Sequence, residues 1–306
     1  IKEGGAMSLR LSELKPRFVS LGRKYCNIRY RVIPSILLNL HVVIFGRPRF
    51  ANFNKFLLML GLRGLGVRNF QSQEFSGEIP FTKSILSTID SRNNTILDVG
   101  ANEGTFTKEV INNTVFLNVL AVEPHPQTFE RLNNRFSNHG RVTLMNIGAG
   151  EREGTLPLYD YCDKNGSSHA SFFKEVIEDV HHGVAAQIEV TVRKLDDVVS
   201  EKNLKVVFIK IDVEGFELNV LRGLEETIRL QKVLYILVEF NAMNVYSGTF
   251  LRNLIDFMDD YEPYQILPHG RLLSLRPYRA YWVEVFAYQN IIFIKKDLVQ
   301  TSADVP

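Results

Sequence analysis

The chain has 306 residues, of which 45% are hydrophobic, 23% charged and 11% aromatic. This is the composition of one large globular domain with an extension, or of two small domains, and it excludes disordered, collagen-like and low-complexity classes. The formal net charge of +2 is unevenly spread: residues 1–68 hold 13 Lys+Arg against Glu3 and Glu13, and the remainder carries nine more acids than bases.

Ile1 to Ala6 reads as a cloning remnant before a start at Met7, with no secretory leader. The basic region runs over residues 7–75 and is expected to be mainly helical. In it Arg23, Lys24, Arg29, Arg31, Arg47 and Arg49 alternate with Phe18, Tyr25, Tyr30, Ile36, Leu37, Leu38 and Phe45. The expected arrangement is a solvated basic face whose apolar side docks on the acidic body of the chain. The alternative is attachment to a membrane surface or another anionic partner. The aromatics Phe53, Phe56 and Phe70 are expected to pack these helices. The longest apolar run, Val32 to Phe45, is interrupted by Pro34, Asn39 and His41 and is too short to span a bilayer. Cys26 and Cys162 match no metal or redox spacing, so a reducing, cytoplasmic setting is expected, peripheral to a membrane if the basic region attaches there.

From Asn94 onward short β-rich runs alternate with helical patterns, which predicts a parallel sheet covered by helices. Strands are expected at Thr95–Val99, Val119–Glu123, Val142–Ile147, Gln187–Val192, Val206–Asp212 and Leu234–Phe240. Three later runs, Tyr264–Leu267, Trp282–Phe286 and Ile291–Lys295, would close the sheet with an antiparallel element. Helices are expected over Thr105–Asn112, Pro126–Phe136 and Phe216–Leu230. The stretch Asp160 to His182 reads as a long loop, with some helix after Ser171, over the ligand edge of the sheet. The domain so defined covers residues 76–300 and leaves a short tail, residues 301–306. About seven strands in this order make a Rossmann-like α/β fold.

In such a sheet the ligand lies beyond the carboxyl ends of the strands, where the strand order switches. The loop Asp98-Val-Gly100-Ala-Asn102-Glu-Gly104-Thr-Phe106 places a carboxylate and tight glycine turns there. It lacks the G-x-G-x-x-G of a dinucleotide site, since Asn102 stands at the second glycine position. Glu123 ends the next strand 23 residues after Gly100, where a ribose hydroxyl pair wants an acceptor. Asn146-Ile-Gly148-Ala-Gly150 follows the third strand, with Asn146 placed either to bond an adenine or to close a turn. The segment from Phe208 through Lys210, Asp212 and Glu214 to Gly223 puts an acidic pair at the end of a central strand.

Taken in order, ILDVGANEGTF, AVEPHPQTFERL, NIGAGEREG, DKNGSSHASF, VRKLDDV and IKIDVEGFELNVLRGL resemble the FkbM family of S-adenosylmethionine-dependent methyltransferases. The resemblance covers about Ser76 to Asn241. It implies a class I methyltransferase fold, with a mostly parallel seven-stranded sheet and an antiparallel strand. It also implies O-methylation of a hydroxyl on a sugar or glycan, or on a non-sugar natural product. Carried over position by position, it puts Asp98, Gly100, Ala101, Asn102, Gly104 and Phe106 around the methionine part of the cofactor. Glu123 would take the ribose, with Pro124, Asn146 and Ile147 near the adenine. Asn165 to Ser168 would form part of the lid near the transferring methyl. Phe216 departs from the family pattern, where small residues are common.

Methyl transfer from a sulfonium needs alignment and a group to take the hydroxyl proton. Asp212 is the first choice as base, Glu239 the second, and His169 a third candidate beside the lid. Ser167, Ser168, Glu214 and His269 are placed on the acceptor side, although Glu214 could instead cap the following helix. Convergence of Asp212, Glu239 and Asn241 would suit Mg²⁺. A non-catalytic adenosine-ligand module is the rival of another class. Nucleic acid is not an expected partner, since the basic region shows no RNA-binding motif.

Overall fold

The computed structural model describes residues 35–89, 93–163, 166–231 and 233–300. Cys26, the basic run before Pro34, Asn165 and both chain termini lie outside the described residues. The chain divides into two compact units, Arg63–Lys296 and a second made of Ile1–Leu62 with Asp297–Pro306.

In the larger unit eight strands form one sheet in the order β10-β9-β11-β8-β7-β1-β2-β3. They are β1 Thr95–Val99, β2 Asn118–Val122, β3 Val142–Met145, β7 Val206–Ile211, β8 Tyr235–Phe240, β9 Tyr261–Leu267, β10 Arg271–Ser274 and β11 Gln289–Lys295. Strands β1, β2, β3, β7 and β8 are mutually parallel. Strand β11 runs antiparallel to both β8 and β9. Every residue of β1 and β7 is buried, as helices on both faces require. The side chains alternate between two cores: Leu97, Val99, Ile209 and Ile211 enter one, Ile96 and Phe208 the other. Strand β1 lies between β2 and β7, so the chain leaves it in opposite directions on its two sides and opens a crevice at its carboxyl end.

Four details differ from the sequence expectation. The sheet has eight strands rather than seven, because the turn Pro268–Gly270 folds Arg271–Ser274 back onto β9. His269 and Gly270 make that turn with φ of 63° and 72°. The stretch Gln187–Val192 is not in the main sheet. It belongs to β6, Ala185–Arg193, in a separate three-stranded sheet with β5, Gly154–Tyr161, and β4, Gly148–Ala149. Strand β5 is an edge strand of that sheet, where Pro157 can lack a donor without breaking a ladder. The expected strand Trp282–Phe286 begins instead in a helical turn, Ala280–Val283. The place between β8 and β9 is already filled by β11, and Trp282 is exposed. Finally, Phe216–Leu230 is two helices, Glu217–Arg222 and Glu225–Leu230. They part at Gly223, where a Cβ would meet the Gly150 carbonyl oxygen at 2.1 Å.

In the smaller unit, helices Ser35–Phe45 and Ala51–Gly64 are joined by the turn at residues 46–50. The second helix continues two residues past the unit boundary. It has no buried residue, and Phe53 and Phe56 are exposed. Within the hairpin Phe53 packs on Phe45, with ring centroids 5.1 Å apart. No helix among the described residues is long and apolar enough to cross a membrane.

Candidate active site

Two adjoining cavities of ≈ 920 and ≈ 350 Å³ open at the carboxyl ends of β1, β2 and β7. Gly100, Asn102, Ser168 and Asp212 line both. The turn after β1 is forced by contact with the next strand end. Gly100 has φ of 79°, and a Cβ there would lie 1.8 Å from the Asp212 carbonyl oxygen, so no other residue fits. The Gly100 and Ala101 N–H groups both donate to the Val122 carbonyl, at 3.0 Å each, which sets the turn against the end of β2.

Glu123 is gripped from two sides. Its carboxylate accepts from the Asn102 and His125 backbone N–H groups, each at 2.9 Å. Burial pushes its carboxyl up to about 7 despite these two bonds, which favour the ionised form. Asn146 supports it from behind, donating its amide to the Glu123 and Pro124 carbonyls at 2.8 and 3.0 Å. That amide holds the wall, and the residues lining the cavity next to it are Gly148 and Ala149.

At the other end lies an acidic cluster. One carboxylate oxygen from each of Asp212, Glu214 and Glu239 falls within 4.8 Å of the others. Lys210 Nζ donates to Asp212 Oδ2 at 2.8 Å. Asn241 Nδ2 donates to Glu239 Oε1 at 2.8 Å and to Glu214 Oε2 at 3.2 Å. Asn241 Oδ1 accepts from the Met243 N–H at 2.9 Å, which fixes the amide orientation and turns its oxygen away from the cluster. As a ligand set for a hard cation, the geometry thus brings Glu214 to Asp212 and Glu239 and leaves Asn241 out. Burial, then the Asp212 charge, holds both glutamic carboxyls well above the usual carboxylate range. Burial opposes the Lys210 charge, but Asp212, Glu78 and Asp98 outweigh it and hold the ammonium well above the usual lysine range. Glu78 comes from the helix Glu78–Leu86 and is itself pushed up to about 7, chiefly by burial.

The loop after β5 covers the crevice. Ser167 donates its N–H to Asp160 Oδ2 at 2.9 Å and its hydroxyl to Oδ1. Ser171 ties the loop to the acidic turn by a 2.8 Å bond to the Glu214 carbonyl. Phe172 and Phe173 pack on Phe216, with ring centroids 4.6 and 6.1 Å away, so the bulky residue that departs from the family pattern anchors the lid. The His169 ring stacks on His181 at 4.0 Å, and its Nδ1 lies 3.1 Å from the Tyr161 hydroxyl.

Of the residues singled out from sequence, Gly100, Asn102, Glu123, Pro124, Ser167, Ser168, His169, Asp212, Glu214, Glu239 and Asn241 line the larger cavity; Ala101 and Phe106 line the smaller. Asp98 is wholly buried beneath the turn, held by the Thr107 hydroxyl at 2.6 Å. Gly104 and Ile147 line neither cavity. Gly104 has φ of 77°, and a Cβ there would strike Phe136 and Leu132. Ile147 is a core residue. His269 is exposed in the β9–β10 turn and lines neither cavity. Sequence reasoning missed Lys210, although a lone lysine inside an otherwise apolar buried strand demands a carboxylate partner. It also missed Arg68, Phe70, Phe286 and Tyr288, which form one wall of the larger cavity. Local sequence gave no signal for these four, because distant segments bring them together.

The strand order and this crevice define the class I methyltransferase fold, and the protein is an S-adenosylmethionine-dependent methyltransferase. The family model described as the methyltransferase FkbM domain matches residues 98–264, more than half of the chain, and the chain belongs to that family. Curated relatives include the 2-O-methyltransferase NoeI of Sinorhizobium fredii, 26% identical over 200 residues, or 61% of this chain and 80% of that protein. Methyltransferase 1 of Beauveria bassiana is 33% identical over 43% of this chain and 58% of its own length. The hexuronic acid methyltransferase AglP of Haloferax volcanii is 29% identical over 56% of this chain and 65% of its own length. The match therefore spans less than two thirds of the latter two relatives. Among solved structures, a precorrin-6y C5,15-methyltransferase from Geobacter metallireducens aligns with a TM-score of 0.38 and 13% identity, over 74% of this chain and 91% of that one.

Proposed function

We propose that the protein transfers a methyl group to a hydroxyl of a sugar acceptor, with Asp212 as the proton acceptor. The observation that carries this reading is the position of Asp212, which borders both cavities, the larger of which is also lined by Glu123, Arg68, Phe70 and Tyr288. Glu123 takes the ribose hydroxyls, and the turn from Gly100 to Asn102 cradles the methionine part with Phe106 and Ser168 beside it. The donor supplies an activated methyl on a sulfonium, so the chain must supply alignment and proton removal. The acceptor oxygen attacks the methyl carbon, the carbon–sulfur bond breaks, and the hydroxyl proton passes to Asp212, leaving S-adenosylhomocysteine and a methyl ether. Lys210 occupies Oδ2 and leaves Oδ1 for that proton. Burial holds the Glu239 and Glu214 carboxyls above the usual carboxylate range and both accept from the Asn241 amide, so they serve as partners of Asn241 rather than as bases.

The acceptor wall suits a pyranoside. Phe70 and Tyr288 meet edge to face, with centroids 6.3 Å apart, and offer apolar surface to the ring. Arg68 is the one Lys or Arg among the residues lining the larger cavity. It has no carboxylate partner among the described residues, and a sugar carboxylate can pair with it. The activities named for two relatives, a 2-O-methyltransferase and a hexuronic acid methyltransferase, support O-methylation of an acidic sugar. The test is transfer of labelled methyl from S-adenosylmethionine to a panel of neutral hexosides, uronic acids and phenolic natural products. Turnover confined to the phenols would overturn the sugar reading. Loss of uronic acid preference in Arg68→Gln, with neutral sugars unaffected, would locate the carboxylate.

A further inference from the structure

The hairpin of helices Ser35–Phe45 and Ala51–Gly64 holds a polar pair in its seam and leaves many apolar side chains exposed. His41 Nε2 meets Asn54 Oδ1 at 3.0 Å, and Asn54 Nδ2 donates to the Phe45 carbonyl at 2.9 Å. The Phe45 ring packs on Phe50 and Phe53 at 5.1 Å each. Outside this seam Leu38, Val42, Val43, Phe56, Leu58 and Leu60 are all more than half exposed, with Val43 at 68% and Leu58 at 62%. The first helix carries no charged residue. So many exposed apolar side chains on two short helices mark a partner or a bilayer.

Charge decides between the two. Residues 14–73 contain eleven Lys+Arg and no Asp or Glu. Arg47 and Arg49 sit in the turn between the helices, and Lys55 follows in the second. A second copy of the chain would bring the same cations to the contact and repel it. An anionic lipid surface takes both the cations and the apolar side chains. Helices of 11 and 14 residues are about 16 and 21 Å long, shorter than the roughly 30 Å hydrocarbon layer. We infer that this hairpin docks the protein on an anionic membrane surface, lying in the headgroup region without spanning it.

The test uses the full chain with vesicles of phosphatidylcholine alone and of phosphatidylcholine mixed with phosphatidylglycerol, read by co-flotation. The wild type should partition to the anionic vesicles and lose affinity as salt is raised. Arg47→Gln with Arg49→Gln should weaken partitioning about thirtyfold, since each basic residue near the surface contributes about a factor of five. Val43→Asp with Leu58→Asp should abolish it while leaving the thermal midpoint unchanged, because both positions are exposed. Absence of flotation with anionic vesicles overturns the inference, as does flotation insensitive to both double variants. A dimer in sedimentation velocity that Val43→Asp with Leu58→Asp dissolves would assign the surface to a second copy instead.

Discussion

Lys210 Nζ lies 2.8 Å from Asp212 Oδ2, and the backbone of Lys210 faces that of Asp98 across the β1–β7 ladder. One buried cation thus stands between the two acidic strand ends of the site, with Glu78 adding a third carboxyl from the preceding helix.

The first expectation separates base from neighbour. Asp212→Asn keeps the volume and removes the proton acceptor, so turnover should fall by up to about 10⁴, with binding of S-adenosylhomocysteine retained. Glu239→Gln replaces a carboxyl that burial holds above the usual carboxylate range by an amide of the same shape and should cost less than about tenfold. Single-turnover rates for both variants make the comparison. The reverse ranking would pass the base role to Glu239.

The second concerns pH and the cofactor. With its carboxyl raised to about 7, Glu123 is mostly protonated below that pH and ionised above it. Only the ionised form accepts from both ribose hydroxyls while keeping its bonds to the Asn102 and His125 N–H groups. Affinity for S-adenosylhomocysteine should therefore rise as pH is increased through about 7. Glu123→Gln should weaken binding by roughly ten- to a hundredfold at pH 8 and flatten the profile, both read by calorimetry. A profile unchanged by the substitution would remove Glu123 from the ribose.

How much of this site the sequence disclosed follows from the range of the contacts. The turn Gly100 to Asn102 and the carboxylate Glu123 were legible as cavity-lining residues because a glycine turn at one strand end and a carboxylate at the next are local patterns, whereas Asp98 and Gly104 line neither cavity. Strand β5 escaped notice because its start is exposed and Pro157 interrupts it, so alternating burial is confined to Leu158–Tyr161. Arg68 and Tyr288 are 220 positions apart and meet through a 2.7 Å backbone bond from the Arg68 N–H to the Tyr288 carbonyl, which no local pattern encodes. Asn241 was legible as a residue of the cluster, but the direction of its amide depends on the Met243 N–H and needed coordinates.

A third expectation is for stability. Glu78 is 4% exposed, and its Oε1 has no hydrogen-bond partner among the described residues. Its folded pKa of about 7 lies above the ordinary 4.5, so the folded state binds more protons than the unfolded one between these values. Stability from this group is full below about 4.5 and declines as pH rises through about 7. Glu78→Gln should match the wild type at the acid end and exceed it by up to about 3 kcal/mol at pH 8. Urea unfolding at the two pH values tests this. Equal stability at pH 8 would mean that the pairing with Lys210 offsets the cost of burial in full.

The last expectation is for metal removal. The trio of Asp212, Glu214 and Glu239 is compact enough to ligate a hard cation, and Asp212 is the residue proposed to accept the hydroxyl proton. Two features of the cluster speak against a bound cation. The Asn241 amide points its N–H groups, not its oxygen, at Glu214 and Glu239. Lys210 already supplies a positive charge to Asp212. A cation entering the trio would face those N–H donors and the Lys210 ammonium. Dialysis against EDTA should therefore leave turnover and thermal midpoint unchanged, and added Mg²⁺ should not raise either. Loss of turnover under EDTA, restored by Mg²⁺ in the wild type but not in Glu214→Gln, would make the trio a metal site. The role of Asp212 would then change from proton acceptor to ligand.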